Sequence, residues 1–171
     1  MTQRISPPVI QLSALALWLG AASFFSTAVA PALFAVLPSR VLAGAVVARM
    51  LPAVFYSGIA IGVLVVAVEL ASRGAWRWGG REISGIVMIT ACAIAQLFVA
   101  PRIELVRSEI AGPIEALPLD DARRVTFGRL HGASVAWLGI AMLAAALAMV
   151  LCARMLQSTK TDGNEHPELL A

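Results

Sequence analysis

The sequence predicts an all-α integral membrane protein, built as a four-helix antiparallel bundle. Three observations predict it: a shortage of charge, four charge-free apolar runs of spanning length, and short connections between them. Hydrophobic types make up 60% of the residues and charged types only 13%, with a mean hydropathy of +0.85. Soluble domains carry about 25% charged residues, so this chain cannot keep a wet surface on all sides. Its 171 residues are the length of one domain.

A spanning helix needs roughly 20 apolar residues at 1.5 Å rise each. The first run, Val9 to Leu37, has no charge across 29 positions. Pro31 divides it, so the span proper is expected over 9–30, with the apolar remainder at the interface. The second run follows Arg49 and covers 50–70. The apolar stretch Val41 to Ala48 before it fits either a long tilted helix or an interfacial helix, and Pro52 fits a start or a kink. The third run covers 83–101, between Glu82 and Arg102. The fourth covers 132–153, between His131 and Arg154. In lipid the backbone must satisfy its own hydrogen bonds, so runs of this length are helices. A cleaved signal peptide ending at Ala28-Val29-Ala30 is the rival reading of the first run. Against it, the apolar stretch is about twice a typical h-region of 7–15 residues.

The domain organisation expected is a short amino-terminal segment (1–8), a membrane domain (9–156) and a disordered polar tail (157–171) that contains His166. Between spans two and three, Arg73, Arg77 and Arg81 alternate with Trp76 and Trp78, which reads as an interfacial anchor. Between spans three and four, Arg102 to Ile110 continues the third helix until Gly112-Pro113 breaks it. Asp120 and Asp121 then suit the amino terminus of a fourth helix that starts well before the membrane. The terminal side carries six basic residues and the opposite side seven, so a raw count does not orient the chain. The compact Arg73/Arg77/Arg81 group points to both termini in the cytoplasm and to the inner membrane.

Gly58-Ile-Ala-Ile-Gly62 is a GxxxG, a spacing that lets helix backbones approach closely. It fits packing within the chain or against a homo-oligomeric copy or another membrane protein. The bilayer itself is the other expected partner. The basic residues border apolar runs and form no stripe interleaved with aromatics, so no nucleic-acid partner is expected.

Polar residues at membrane depth are costly and by default point to function. Most lie toward the side bearing the first and third links. Arg49 and Tyr56 are on span two, Gln96 and Arg107 on span three, and His131 and Ser134 on span four. Phe127 and His131, four apart, share a helical face. The functional reading is a shallow polar site in which arginines hold an anion and His131 ligates metal or moves protons. The structural reading is an ion-pair network joining Arg107 and Arg129 to Glu104 or Glu109.

No catalytic constellation accompanies these residues: HExxH, GxSxG and P-loop patterns are missing. Haem ligation would need a second histidine in a span. Met88, Met142 and Met149 are expected as filler rather than soft ligands. Cys92 and Cys152 lie in apolar runs without CxxC spacing, as small buried hydrophobes. No cofactor or metal is therefore expected.

Four motifs stand in order: Phe24-Phe-Ser-Thr-Ala-Val-Ala-Pro31-Ala-Leu-Phe34; Leu51-Pro52-Ala-Val-Phe-Tyr56; Pro101-Arg-Ile-Glu-Leu-Val-Arg107; and Phe127-Gly-Arg-Leu-His131-Gly-Ala-Ser134. Together they resemble the transmembrane protein 205-like family of small four-span proteins, whose bacterial members carry a domain of unknown function. The resemblance covers roughly residues 13–153 and marks Pro31, Pro52, Pro101 and Phe127 as motif positions. It implies the four-helix count and, through a eukaryotic namesake associated with resistance to platinum drugs, a transport role by analogy. The Ala-Pro-x-Leu-Phe element is also similar to one in copper-resistance membrane proteins, but the histidines expected for copper are missing. The leading expectation is a non-enzymatic protein handling a small solute or metal species. The alternatives are a scaffold binding other membrane proteins through its GxxxG surface, and a haem or redox enzyme using His131.

Overall fold

The computed structural model describes residues 7–73, 79–110 and 112–162, with the side chains of 72, 73 and 158–162 outside that description. Among the described residues there are helices and turns and no strand. Helix α1 is Pro7–Phe24, α2 Ala30–Val36, α3 Arg40–Arg73, α4 Gly80–Ala93, α5 Ala100–Ser108 and α6 Ala122–Asp162. Two wide π-turns, Phe25–Val29 and Ile94–Val99, fuse α1 to α2 and α4 to α5. The chain therefore crosses four times, by Pro7–Val36, Arg40–Ala71, Gly80–Ser108 and Ala122–Gln157. It is an all-α, four-helix membrane bundle.

Every helix runs past the span expected from its apolar run, because proline and charge do not stop it. Pro31 and Pro101 each follow a π-turn within the same tripeptide, Val-Ala-Pro. In those turns the Ala30 N–H donates to the Phe25 carbonyl and the Ala100 N–H to the Ala95 carbonyl, five residues back. A proline ring normally collides with the carbonyl four residues before it. The widened turn upstream gives that carbonyl room, so the helix continues instead of ending. Pro31 thus does not close the first span. Pro52 lies inside α3, and the Val41–Ala48 stretch is part of the same 34-residue helix rather than a separate interfacial one. At the carboxyl end α6 reaches Asp162, so residues 157–162, expected in the tail, are helical. Residues 163–171, the amino-terminal segment before Pro7, and Arg77, Trp76 and Trp78 of the expected anchor lie outside the described residues.

The start of α6 follows its sequence signal. The Asp121 carboxylate accepts from the Arg123 backbone N–H at 2.9 Å, capping the helix. Hydrogen bonds from the Arg123 side chain and backbone hold its pKa at about 2. At the preceding break Gly112 adopts φ +149°, which side chains rarely tolerate.

The four spans close a ring in which α1 packs on α3, α3 on α4, α4 on α6 and α6 on α1. Small residues set their separation. A Cβ on Gly58 would lie 2.7 Å from Cys92 Sγ and 2.9 Å from the Trp18 ring, and one on Gly62 would lie 3.0 Å from the Gly85 carbonyl oxygen. The GxxxG pair is thus used inside the chain, between α3 and its neighbours, and is not a surface left for a partner. Ala91, Ala95, Ala141, Ala145 and Ala148 line the same core around Leu15, Trp18, Phe55 and Met88. Trp18 adds a hydrogen bond from its indole N–H to the Val54 carbonyl at 3.0 Å. Packing is concentrated toward the termini: α2 and α5 bury no residue, and α6 buries none before Ser134.

Gly58→Ala should lower the thermal midpoint in detergent, since overpacking a tight contact costs about 1–3 kcal/mol. Gly20→Ala, with nothing within 4 Å of the added carbon, should leave it unchanged or raised, because alanine is the better helix former.

Candidate functional site

The most buried polar groups lie at the terminal end of the bundle, not at the end where the sequence pointed. Gln11 on α1 is fully buried, Glu69 on α3 is 2% exposed and Arg81 on α4 is 6% exposed. An Arg81 Nη2 donates to Glu69 Oε1 at 2.6 Å, and its Nη1 reaches Gln11 Oε1 at 3.5 Å. Gln11 in turn donates its amide N–H to the Val65 carbonyl at 2.9 Å. From α6, the Cys152 thiol donates to Gln11 Oε1 at 3.7 Å. One side chain from each span thus enters a single network. Glu82 and Ser84 are buried beside it on α4, Ser84 returning its hydroxyl to the Gly80 carbonyl.

Local structure explains the meeting. Glu69 and Arg81 stand six residues either side of residue 75, at equal depth in a short-linked helical hairpin. Gly62 and Gly85 bring those two helices together just inside the pair. Gln11 sits one turn after the start of α1, and Cys152 near the end of α6, at the same level. A buried carboxylate and guanidinium are tolerated because the two charges find each other and the guanidinium also reaches the Gln11 amide oxygen.

The expected polar site of the opposite end does not assemble in the same way. Arg49, Tyr56 and His131 are exposed, Gln96 and Arg107 half-buried and Ser134 buried. No hydrogen bond or ion pair joins any two of them among the described residues. Arg107 donates to the Gly44 carbonyl at 3.5 Å, across α5 and α3. The His131 ring lies parallel to that of Phe127, centroids 6.1 Å apart. The expected ion pairs of Arg107 and Arg129 with Glu104 or Glu109 do not form either. Arg123 pairs with Asp121 instead, and Arg124 closes the carbonyls of Glu115 and Leu117. Gln96 Oε1, inside the second π-turn, is buried with no hydrogen-bond partner among the described residues. No three His, Cys, Asp or Glu side chains converge to hold a metal ion among them.

The model of a domain of unknown function, DUF4149, matches residues 13–111. The chain belongs to that family. The match spans α1 to α5, so it takes in Glu69, Arg81, Gly58, Gly62 and both Val-Ala-Pro turns. Gln11 lies just before the matched part of this DUF4149 protein, and Phe127, His131, Ser134 and Cys152 lie after it. No curated protein and no solved structure matches the chain.

None of the four cluster residues is a site candidate in the sequence, where Cys152 reads as a small buried hydrophobe. Glu69 ends the second apolar run, Arg81 belongs to the arginine–tryptophan anchor, and Gln11 is part of an apolar run. The available signal was positional: an acid and a base equidistant from the middle of a short link, with one amide in an otherwise apolar first span.

Arg81→Leu should destabilise the protein by about 3–5 kcal/mol, the cost of leaving a buried charge without its ion-pair partner. The double variant Glu69→Leu/Arg81→Leu should recover much of that loss in a detergent unfolding cycle. Additive losses would mean that the two side chains are not coupled.

Proposed function

We propose that this membrane protein handles a small solute and that the Gln11–Glu69–Arg81–Cys152 cluster is the gate at the closed end of its bundle. The observation that carries the reading is the buried charge pair itself, with all four spans contributing to its network at one end. Ionisable groups buried in membrane bundles are expensive, and they mark ion, proton or substrate paths. The looser packing of α2, α5 and the start of α6 supports a bundle that opens from the other end.

The resemblance to the transmembrane protein 205-like family points the same way, through the transport role associated with its platinum-resistance namesake. A metal species is the less favoured cargo, since the ligating side chains of the described residues do not converge. The scaffold reading loses its main surface, because Gly58 and Gly62 face inward. The haem reading rests on His131 alone, which stacks on Phe127 at the bundle exterior. The same proposal sets the chain in the inner membrane with both termini in the cytoplasm. Arg81, one of the three arginines behind that orientation, is buried in the ion pair, which leaves Arg73 and Arg77 to carry it.

The test is flux in reconstituted vesicles, read by light scattering across a panel of small neutral, anionic and cationic solutes. Glu69→Gln and Arg81→Gln should each change the permeation of at least one solute about tenfold, equivalent to ~1.4 kcal/mol of barrier. The exchange Glu69→Arg/Arg81→Glu should return it toward wild type. Unchanged flux for every solute, with only the thermal midpoint lowered, would make the cluster a structural clamp. A reporter fused after residue 171 and active only in the cytoplasm checks the orientation.

A further inference from the structure

Seven arginines lie at the bundle end opposite the cluster, and they fall into two groups. Arg40, Arg107, Arg123 and Arg124 find partners within the chain: Glu115 at 3.8 Å, the Gly44 carbonyl, Asp121, and the Glu115 and Leu117 carbonyls. Arg49, Arg102 and Arg129 are exposed and have no hydrogen-bond or ion-pair partner among the described residues.

These three share one depth. The antiparallel register of α3 against α4 and α5 sets Glu69 opposite Arg81, Gly58 opposite Cys92 and Gly44 opposite Arg107. Arg49 is twenty residues before Glu69 and Arg102 is twenty-one after Arg81, so they stand level on neighbouring helices. The register of α4 against α6 is set by Gly80, whose Cβ would meet Leu151 at 2.8 Å. Arg102 is twenty-two residues after Gly80 and Arg129 is twenty-two before Leu151, so they too are level. At 1.5 Å per residue this plane lies about 30 Å from the Glu69–Arg81 pair, which is the thickness of a hydrocarbon core.

We propose that Arg49, Arg102 and Arg129 form a binding belt for the phosphate groups of anionic phospholipids. The guanidinium fork suits phosphate oxygens. A plane of three exposed charges, about 30 Å from the buried pair, suits the headgroup layer, where an unpaired arginine finds phosphate. The belt also fixes where the membrane ends on this side. The helical turns beyond it, α2, Arg40–Ala48 of α3, Ile103–Ser108 of α5 and Ala122–Gly128 of α6, stand in the headgroup region or outside it. No solute path is needed for this assignment.

The test is native mass spectrometry of the full chain released from micelles holding equal amounts of phosphatidylglycerol and phosphatidylcholine with matched acyl chains. The wild type should retain phosphatidylglycerol preferentially. Each of Arg49→Gln, Arg102→Gln and Arg129→Gln should lower that preference about fivefold, the factor matching ~1 kcal/mol per arginine at an anionic surface. The triple variant should abolish it, and the triple lysine variant should keep most of it. Arg154→Gln, at a lone exposed arginine of the other end among the described residues, should lower it by less than any of the three. Retention of the preference by the glutamine variants would overturn the proposal, as would an equal loss with Arg154→Gln. Erasure of the wild-type preference by millimolar inorganic phosphate would also overturn it, in favour of a site for free oxyanions. All the substituted side chains are exposed, so the single variants keep the comparison valid if the triple variant does not fold.

Discussion

The bundle depends on one constraint: a guanidinium and a carboxylate removed from water must be enclosed by protein. Arg81 and Glu69 face each other at 2.6 Å, and the residues that enclose them come from every span. Gln11 contributes both faces of its amide, accepting near Arg81 and donating to the Val65 carbonyl. Cys152 brings the last helix to the same point. In lipid there is no hydrophobic force between helices, so association rests on close packing and on polar contacts of this kind. The network therefore also fixes the relative depth of four helices that apolar packing alone would allow to slide.

Close approach is what makes the enclosure tight. Gly62 on α3 and Gly85 on α4 lie within two turns of the ion pair, and a Cβ at either would press on the facing backbone. With those helices near contact, a short side chain from α3 and a long one from α4 meet without water between them. Farther along, α2 and α5 bury nothing, and the two Val-Ala-Pro turns mark where each rising helix leaves the packed half. The same device, a wide turn ahead of a proline, recurs at corresponding places in spans one and three. It lets a helix carry proline without ending, while loosening the hydrogen-bond ladder where packing gives out.

The fold was legible because lipid leaves the backbone few choices. Four uncharged runs, separated by charged links, can satisfy their amides only as helices, and a bundle follows from short links. Helix ends were less legible. Pro31 reads as a stop and became a continuation, because the compensating π-turn has no signature in residue type. The polar tail from Gln157 reads as non-helical, yet its first residues extend α6. The Asp121 cap was legible, since a carboxylate before an uninterrupted helical stretch has one local use. The site was the least legible. Arginines and a histidine near one end drew attention by type, whereas Gln11, Glu69 and Arg81 matter by mutual depth, which emerges only once the helices are in register. Cys152, correctly read as buried, acquires its significance from the amide beside it.

The two ends of the bundle handle charge in opposite ways, and the difference follows from what surrounds them. At the terminal end Arg81 and Glu69 point inward and are neutralised as a pair, so the protein itself supplies their counter-charge. At the other end Arg49, Arg102 and Arg129 are exposed at a common level without a partner among the described residues, and their counter-charge comes from outside the chain. An outward arginine in hydrocarbon is unfavourable by at least a few kcal/mol, whereas at the headgroup layer it is favourable. Three such residues at one depth therefore act together as a stop that resists vertical displacement, and the inward pair does not. The apolar lengths of the spans admit several positions in the bilayer, since each helix is longer than the roughly 20 residues needed. It is the belt that selects one of them, and the inward pair then falls about one hydrocarbon thickness away, at 1.5 Å per residue.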